Sequence, residues 1–404
     1  MKTIRQFLLF SLISSALSLV CHAATHVVLP GQSLQAAING AASGDTIVIP
    51  TAGAFPENIT ITGKALRIRG AQAGNHDIEG NFVISAVPAG GKVTLRNLTV
   101  LGNLDANGSS LDLLRCKVTG ETTLPSKLGS TGNEVQLIVV QSELREKLVS
   151  KVARSWVGYS TLYRSYFENK VELVGNDFDG RGNGGIGIDL NGTTTAAIHN
   201  NRIHHYCLSV SHDITEECIG IRVAGGANAD VINNVIHDCL ESYHPGLETD
   251  CGMGVFVKPG AKAVVRANVI WACYVWGSDE TRGDRLVYAP ADSIVRYNML
   301  HSGDNRVGGG VSDHDNLNNV APSFVGGGDY HLAPGARGIN EGPHLPQYND
   351  RDGTRNNIGM YGGHNFIPDG RTTNKPIPII FSAAPLSVPG GGVITIESTG
   401  ATVK

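Results

Sequence analysis

Three residues able to act on one substrate stand 33 and 36 positions apart in this chain: Asp189 and Arg222 at matching places, and Lys258 two residues past the next such place. Two stretches between them carry His212, Glu216, His244, Glu248 and Asp250. Cations beside carboxylates support a short list of reactions. An amine in its neutral form takes a proton from the carbon next to a carboxylate, while a second cation neutralises the enolate that forms. Grouped carboxylates hold a hard cation such as calcium. Two carboxyl groups about 5 to 9.5 Å apart can instead hydrolyse a glycosidic bond.

These residues matter together only if the chain stacks them, and a repeat indicates that it does. Residues 185–190 read GIGIDL, 218–223 read CIGIRV and 252–257 read GMGVFV, with a looser fourth copy, RLVY, at 285–288. Some ten residues after each copy comes a second phrase ending on Asn201, Asn234, Asn268 or Asn298, in steps of 33, 34 and 30. The glycines Gly187, Gly220 and Gly254 step by 33 and 34. Two markers in phase define one structural unit. Its apolar residues alternate with period two and are mostly Ile and Val, so the unit is built of short strands. Strands too short for a core of their own are stabilised by stacking coil on coil, about 4.8 Å apart. The recurring asparagine is expected at a sharp turn in the left-handed conformation, with its amide bonded into a ladder along the axis. With Ile and Leu of each Gly-Ile strand inward, Asp189, Arg222 and Phe256 form one outward column, and Asn191, Ala224 and Lys258 the next.

The GIGIDL-type strands and laddered asparagines resemble the right-handed parallel β-helix of the pectin lyase-like superfamily, most of whose known members act on or bind polysaccharides. The resemblance spans about residues 26 to 335 and implies an all-β solenoid. Residues 1–23 read as a signal peptide, with Lys2 and Arg5 before an apolar run and a small residue, Ala23, at the cleavage site. A helix capped by Ser33, with Leu34, Ala37, Ile38 and Ala41 on one face, should cover the open end of the coil stack. The β-helix is expected over 24–363, and 364–404 is expected to cap or edge-pair the last coil. No later stretch is long and apolar enough to span a membrane, and a net charge of -4 gives no basic field for nucleic acid.

By this resemblance the chain is an exported, monomeric protein with a polysaccharide partner. A lyase that cleaves a uronate chain by β-elimination is the leading reading. Lys258 or Arg222 would be its base, Asp189, Glu216, Glu248 and Asp250 calcium ligands, and His212 and His244 proton carriers. The Asp-His and Arg-Pro-x-x-Arg signatures of pectate lyases, and the Asp-Asp and Gly-His-Gly signatures of polygalacturonases, are absent. A glycoside hydrolase and a non-catalytic binding protein therefore stay open, the latter using Phe256, Tyr243, Trp271, Trp276 and Asn191 against sugar.

Both long excursions read Cys-Leu, three residues, His, then acids before a second Cys. Closure within each loop, Cys207 with Cys218 and Cys239 with Cys251, suits an oxidising compartment. A rival joins Cys239 to Cys273 on successive coils, and a zinc site from Cys207, His212, Cys239 and His244 is a third option. Cys116 falls at the ladder position and reads as a buried free thiol. Three residues after each asparagine, His204, His237, Trp271 and His301 form a second outward column. Asp350 and Asp352 form a fragment of a calcium loop.

Overall fold

The computed structural model describes residues 23–71, 76–182, 184–206, 217–242, 252–276, 285–301, 306–368, 370–384 and 395–401. Among these, a 13-stranded parallel sheet makes one face of a long coil, and a 21-stranded sheet wraps the other two. Each regular coil runs through a strand of the first sheet, a turn, a strand that follows the ladder residue, an excursion, and a Gly-Ile strand. The all-β parallel β-helix expected from the repeat is what the chain forms. Pairing fixes the register from coil to coil: Asp189 opposes Arg222, Arg222 opposes Phe256, and His204, His237, Trp271 and His301 follow one another.

The ladder is longer than the sequence reading. Side-chain amides bond from Asn176 to Asn201, Asn234, Asn268, Asn298 and Asn316 at 2.9–3.0 Å. Toward the N-terminus the same position passes to Ser160, Ser142 and Cys116, whose backbone amide donates to Ser142 at 3.0 Å. The expected left-handed asparagine is displaced by one residue. The positive φ belongs to the residue before the ladder, Asn200, Asn233, Ala267 and Tyr297, while the ladder asparagines from Asn176 to Asn298 are fully buried. An amide that must donate along the axis and also to backbone carbonyls needs its χ angles for that purpose, so the preceding residue makes the bend.

The paired glycines are explained by their opposite neighbours. A Cβ on Gly220 would stand 2.7 Å from the Gly254 carbonyl oxygen and 3.3 Å from Cys239 Sγ, and one on Gly187 would stand 2.8 Å from the Tyr206 ring. The Gly-Ile strand therefore presses on the inward residues of the ladder-following strand, Tyr206, Cys239 and Cys273, which are all 0% exposed.

At the N-terminus the helix Leu34–Gly40 is capped by Ser33 and buries Leu34 and Ile38. The Gln35 side chain occupies the strand edge it covers, donating to the Thr60 carbonyl and accepting from its amide. The C-terminal part departs from expectation. Instead of closing the last coil, it returns along the outside of the solenoid. Ile358 and Met360 pack on Val235, Val269 and Met299, and Asn200 and Asn233 donate to the carbonyls of Met360, Gly362, Asn357 and Gly359. The final antiparallel hairpin, Ile377–Ala384 with Thr395–Ala401, sets Ile377 and Ile379 against Leu114, Ile138, Trp156 and Val174 on middle coils. Those outward apolar side chains need cover, and the hairpin supplies it.

Candidate functional site

The Gly-Ile face brings Asp189, Arg222 and Lys258 together. Arg222 donates to Asp189 through Nε (3.0 Å) and Nη2 (2.7 Å), and its Nη1 meets Glu217. Glu217 is also 3.8 Å from Lys258 Nζ. Lys258 stands over the Phe256 ring at 5.4 Å. Sequence reasoning passed over Glu217: it adjoins the CIGIRV strand, but strict alternation puts it on the side opposite Arg222, five residues on, and the register irregularity at Gly187 and Gly220 is not visible in the pattern.

Lys147 and Arg164, opposed in register on the two preceding coils, wall a cleft of about 250 Å³ with Ser165, Asp189, Glu217 and Arg222. In these coils a continuous bent strand, Glu143–Ser150 or Thr161–Phe167, runs from one face to the next. Later coils open into the long excursions at that corner, so the cleft sits where the coil changes type. A larger cavity of about 730 Å³ lies on earlier coils beside Arg115, Gln141, Tyr159 and Arg371; it holds none of the expected site residues.

The structure alters several expected roles. Burial works against the Arg222 charge, but the Asp189 and Glu217 carboxylates outweigh it and raise the guanidinium pKa above its ordinary value. Arg222 is thus a fixed cation and not a base. Asp189 gives both oxygens to Arg222, so a calcium ion there would compete with that guanidinium. Phe256 keeps its place in the column but is only 2% exposed, packed with Ile219, Met253 and Tyr288, so it offers no open ring to a sugar. Trp271 is half-buried, with one face stacked on His237 at 4.3 Å and its ring packed against Phe324. Asn191 makes a turn contact, accepting from the Gly192 amide. Asp350 accepts from the amides of Asn357 and Gly363, and Asp352 from Thr354; both carboxylates are tied into their own loop.

Among the cysteines, Cys116, Cys239 and Cys273 are free and buried, and Cys218 is disulfide-bonded. The expected Cys239–Cys251 bridge is therefore not formed. The rival Cys239–Cys273 pair has the expected register but keeps its thiols. A zinc site using Cys239 fails because that side chain points into the core. Burial pushes the Cys116 thiol up to about 11. His212, His244, Tyr243, Glu216, Glu248, Asp250, Cys207 and Cys251 lie outside the described residues, as does the side chain of Trp276.

The other outward column carries chemistry that sequence reading did not assemble. Asp177 binds Arg202 through two bonds of 2.6 and 2.5 Å and His204 Nε2 at 2.9 Å. His204 in turn neighbours His205 and Asp179, and His237 pairs with Asp238. Helical or strand spacing alone could not reveal this, because the chain breaks alternation there.

No family model matches the chain, and no curated protein matches it. Among solved structures it is similar to the crystal structure of pectate lyase Pel9A, at 12% identity and a TM-score of 0.43, over 84% of this chain and 96% of that one. The likeness transfers no residue and no activity to this chain.

Proposed function

We propose that the chain is an exported protein that binds an acidic, uronate-containing polysaccharide along the Gly-Ile face and cleaves it by β-elimination. What carries this reading is the charge of the cleft: Lys147, Arg164 and Arg222 line it against two carboxylates, Asp189 and Glu217, with Lys258 alongside. A surplus of fixed cations in a concave site attracts a polyanion. Arg222, held rigid before substrate arrives, neutralises the enolate at the sugar carboxylate. Lys258, from its neutral amine form, removes the proton from the adjacent carbon; the electron pair becomes the carbon–carbon double bond, and the glycosidic oxygen leaves with a proton from solvent. Calcium held by Glu216, Glu248 and Asp250, and export through residues 1–23, belong to the same proposal.

A hydrolase is less well supported, because Asp189 and Glu217 share one guanidinium. A non-catalytic binding protein is favoured by one observation, the mutual neutralisation of Arg222, Asp189 and Glu217. Incubation with a panel of uronate polysaccharides separates the readings. A lyase releases product with ultraviolet absorbance, and Lys258→Ala lowers that rate at least about 100-fold, the usual worth of a general base. Reducing ends without absorbance point to hydrolysis, and binding with neither signal ends the catalytic proposal.

A further inference from the structure

The ladder-following strands Asp177–Asp179, Arg202–Tyr206 and Val235–Ser242 lie on successive coils. Asp179 opposes His204, His204 opposes His237, and Tyr206 opposes Cys239. Between these pairs, His205 and Asp238 adopt φ of 61° and 54°, a left-handed backbone that residues with a Cβ seldom take. This is a bulge, and its effect is to turn two consecutive side chains outward. His204 and His205 both leave the core, while Tyr206 fills it.

The resulting cluster orients one nitrogen in particular. His204 is 3% exposed, and its Nε2 is 2.9 Å from Asp177 Oδ1. An ionised carboxylate only accepts, so in the neutral ring Nε2 carries the hydrogen and Nδ1 the lone pair. The ion pair with Arg202 fixes Asp177 as that carboxylate. His204 Nδ1 lies 2.8 Å from His205 Nδ1 and 4.0 Å from Asp179 Oδ1, which is itself 3.2 Å from His205 Nδ1. The Arg181 amide steadies Asp179 Oδ1 at 2.9 Å. A carboxylate behind one ring nitrogen with the other nitrogen facing further ligands is how metal-bound histidines are held. The neighbouring His237 is spent differently: Nδ1 meets Asp238 at 2.8 Å and Nε2 meets the Tyr330 hydroxyl at 3.1 Å. His205 and Asp179 are 38% and 34% exposed at the side chain, which leaves room for water to complete a coordination shell.

We propose that Asp179 Oδ1, His204 Nδ1 and a ring nitrogen of His205 bind a divalent transition-metal ion of the zinc class, at a site separate from the Gly-Ile cleft. Two imidazoles and one carboxylate suit zinc or cobalt, whereas calcium takes oxygen ligands. The site needs no cysteine and no contribution from the proposed reaction.

Tag-free protein, stripped with chelator and dialysed against zinc at neutral pH, is expected to retain one equivalent. Cobalt(II) in its place should give visible d–d absorption. His205→Gly removes a ligand and relieves the left-handed backbone, so the stripped variant should unfold at the same temperature and yet lose the metal. Asp179→Asn should weaken uptake too, and Asp177→Asn should lower affinity about 10- to 100-fold by freeing the ring. His237→Gln should leave uptake unchanged. Wild-type protein that retains neither metal, uptake that survives both His205→Gly and Asp179→Asn, or uptake that depends on His237 would each overturn the assignment.

Discussion

The two outward faces carry the same device with different surroundings. On each, an aspartate on one coil binds an arginine on the next through two hydrogen bonds: Asp189 with Arg222 and Asp177 with Arg202. In-register stacking at about 4.8 Å makes that pairing easy. What differs is where the spare valence goes. On the Gly-Ile face the arginine has the extra partner, Glu217, and the group borders an open cleft. On the ladder-following face the aspartate has it, His204, and the returning segment lies above, with the Tyr330 ring 5.3 Å from Arg202. Burial alone would raise the Asp177 carboxyl, but His204 and Arg202 overcome it and hold it far below the usual carboxylate range. The scaffold thus supplies a coil-to-coil ion pair, and the neighbours decide whether it serves a groove or a packed polar cluster.

If so, the two aspartates are unequal. Asp177→Ala leaves the Arg202 charge and the His204 Nε2 hydrogen under cover without a partner, at a cost of about 3 kcal/mol. Asp189→Ala should cost about half that, because Arg222 keeps Glu217. Urea unfolding of both variants checks this, and equal losses would erase the distinction between the faces.

A backbone test comes next in size. Gly220→Ala places a methyl group 2.7 Å from the Gly254 carbonyl oxygen, so the coils must part, at about 1–3 kcal/mol. Trimming Cys239 to Ala should not rescue it, since the backbone oxygen is the closer obstacle. Gly226→Ala meets nothing nearer than 3.5 Å and should change stability by no more than about 0.5 kcal/mol. A thermal scan of the three variants separates a face-to-face packing limit from a general intolerance of side chains.

Acid should reveal the covered regions. Burial lowers the pKa of His237 despite Asp238, and lowers that of His199, beneath Asn365, to about 4. Both values fall below the unfolded value of about 6.5. The folded state then binds fewer protons, so this stability is complete above about pH 6.5 and is lost as pH falls toward the folded values. The unfolding temperature should drop by a few degrees between about pH 6.5 and 4.5, and His199→Gln should flatten the slope.

The fold was legible because its signals are local and periodic. Alternating Ile and Val, paired glycines and four evenly spaced asparagines each state one coil, and the Asp189–Arg222 contact follows from their register. Asn176 and Asn316 were missed because their coils are shorter, at 25 and 18 residues from the next asparagine, which breaks the period. Cys116 was legible at that position from the alternation around it, but Ser160 and Ser142 fill it with a hydroxyl, a substitution that physics permits and a pattern search for asparagine does not see. The bulge at His205 and Asp238 was invisible for a related reason. It needs a left-handed residue, and neither glycine nor asparagine marks the place. The return of the C-terminal segment along the coils depended on apolar side chains outside the core, such as Trp156 and Val174, whose outward direction only the register reveals.

The smallest effect sharpens the comparison most. Glu217 is 29% exposed at the side chain, and Glu217→Gln keeps its shape while removing the charge between Arg222 and Lys258. Arg222 retains both Asp189 bonds, so stability should move by less than about 1 kcal/mol. Losing that negative charge leaves Lys147, Arg164, Arg222 and Lys258 against Asp189 alone, so the variant should hold a uronate chain more tightly, by about threefold at low salt, with the unfolding curve unmoved. An affinity that stays in place would detach Glu217 from the groove, and the Gly-Ile ion pairs would then serve coil packing alone.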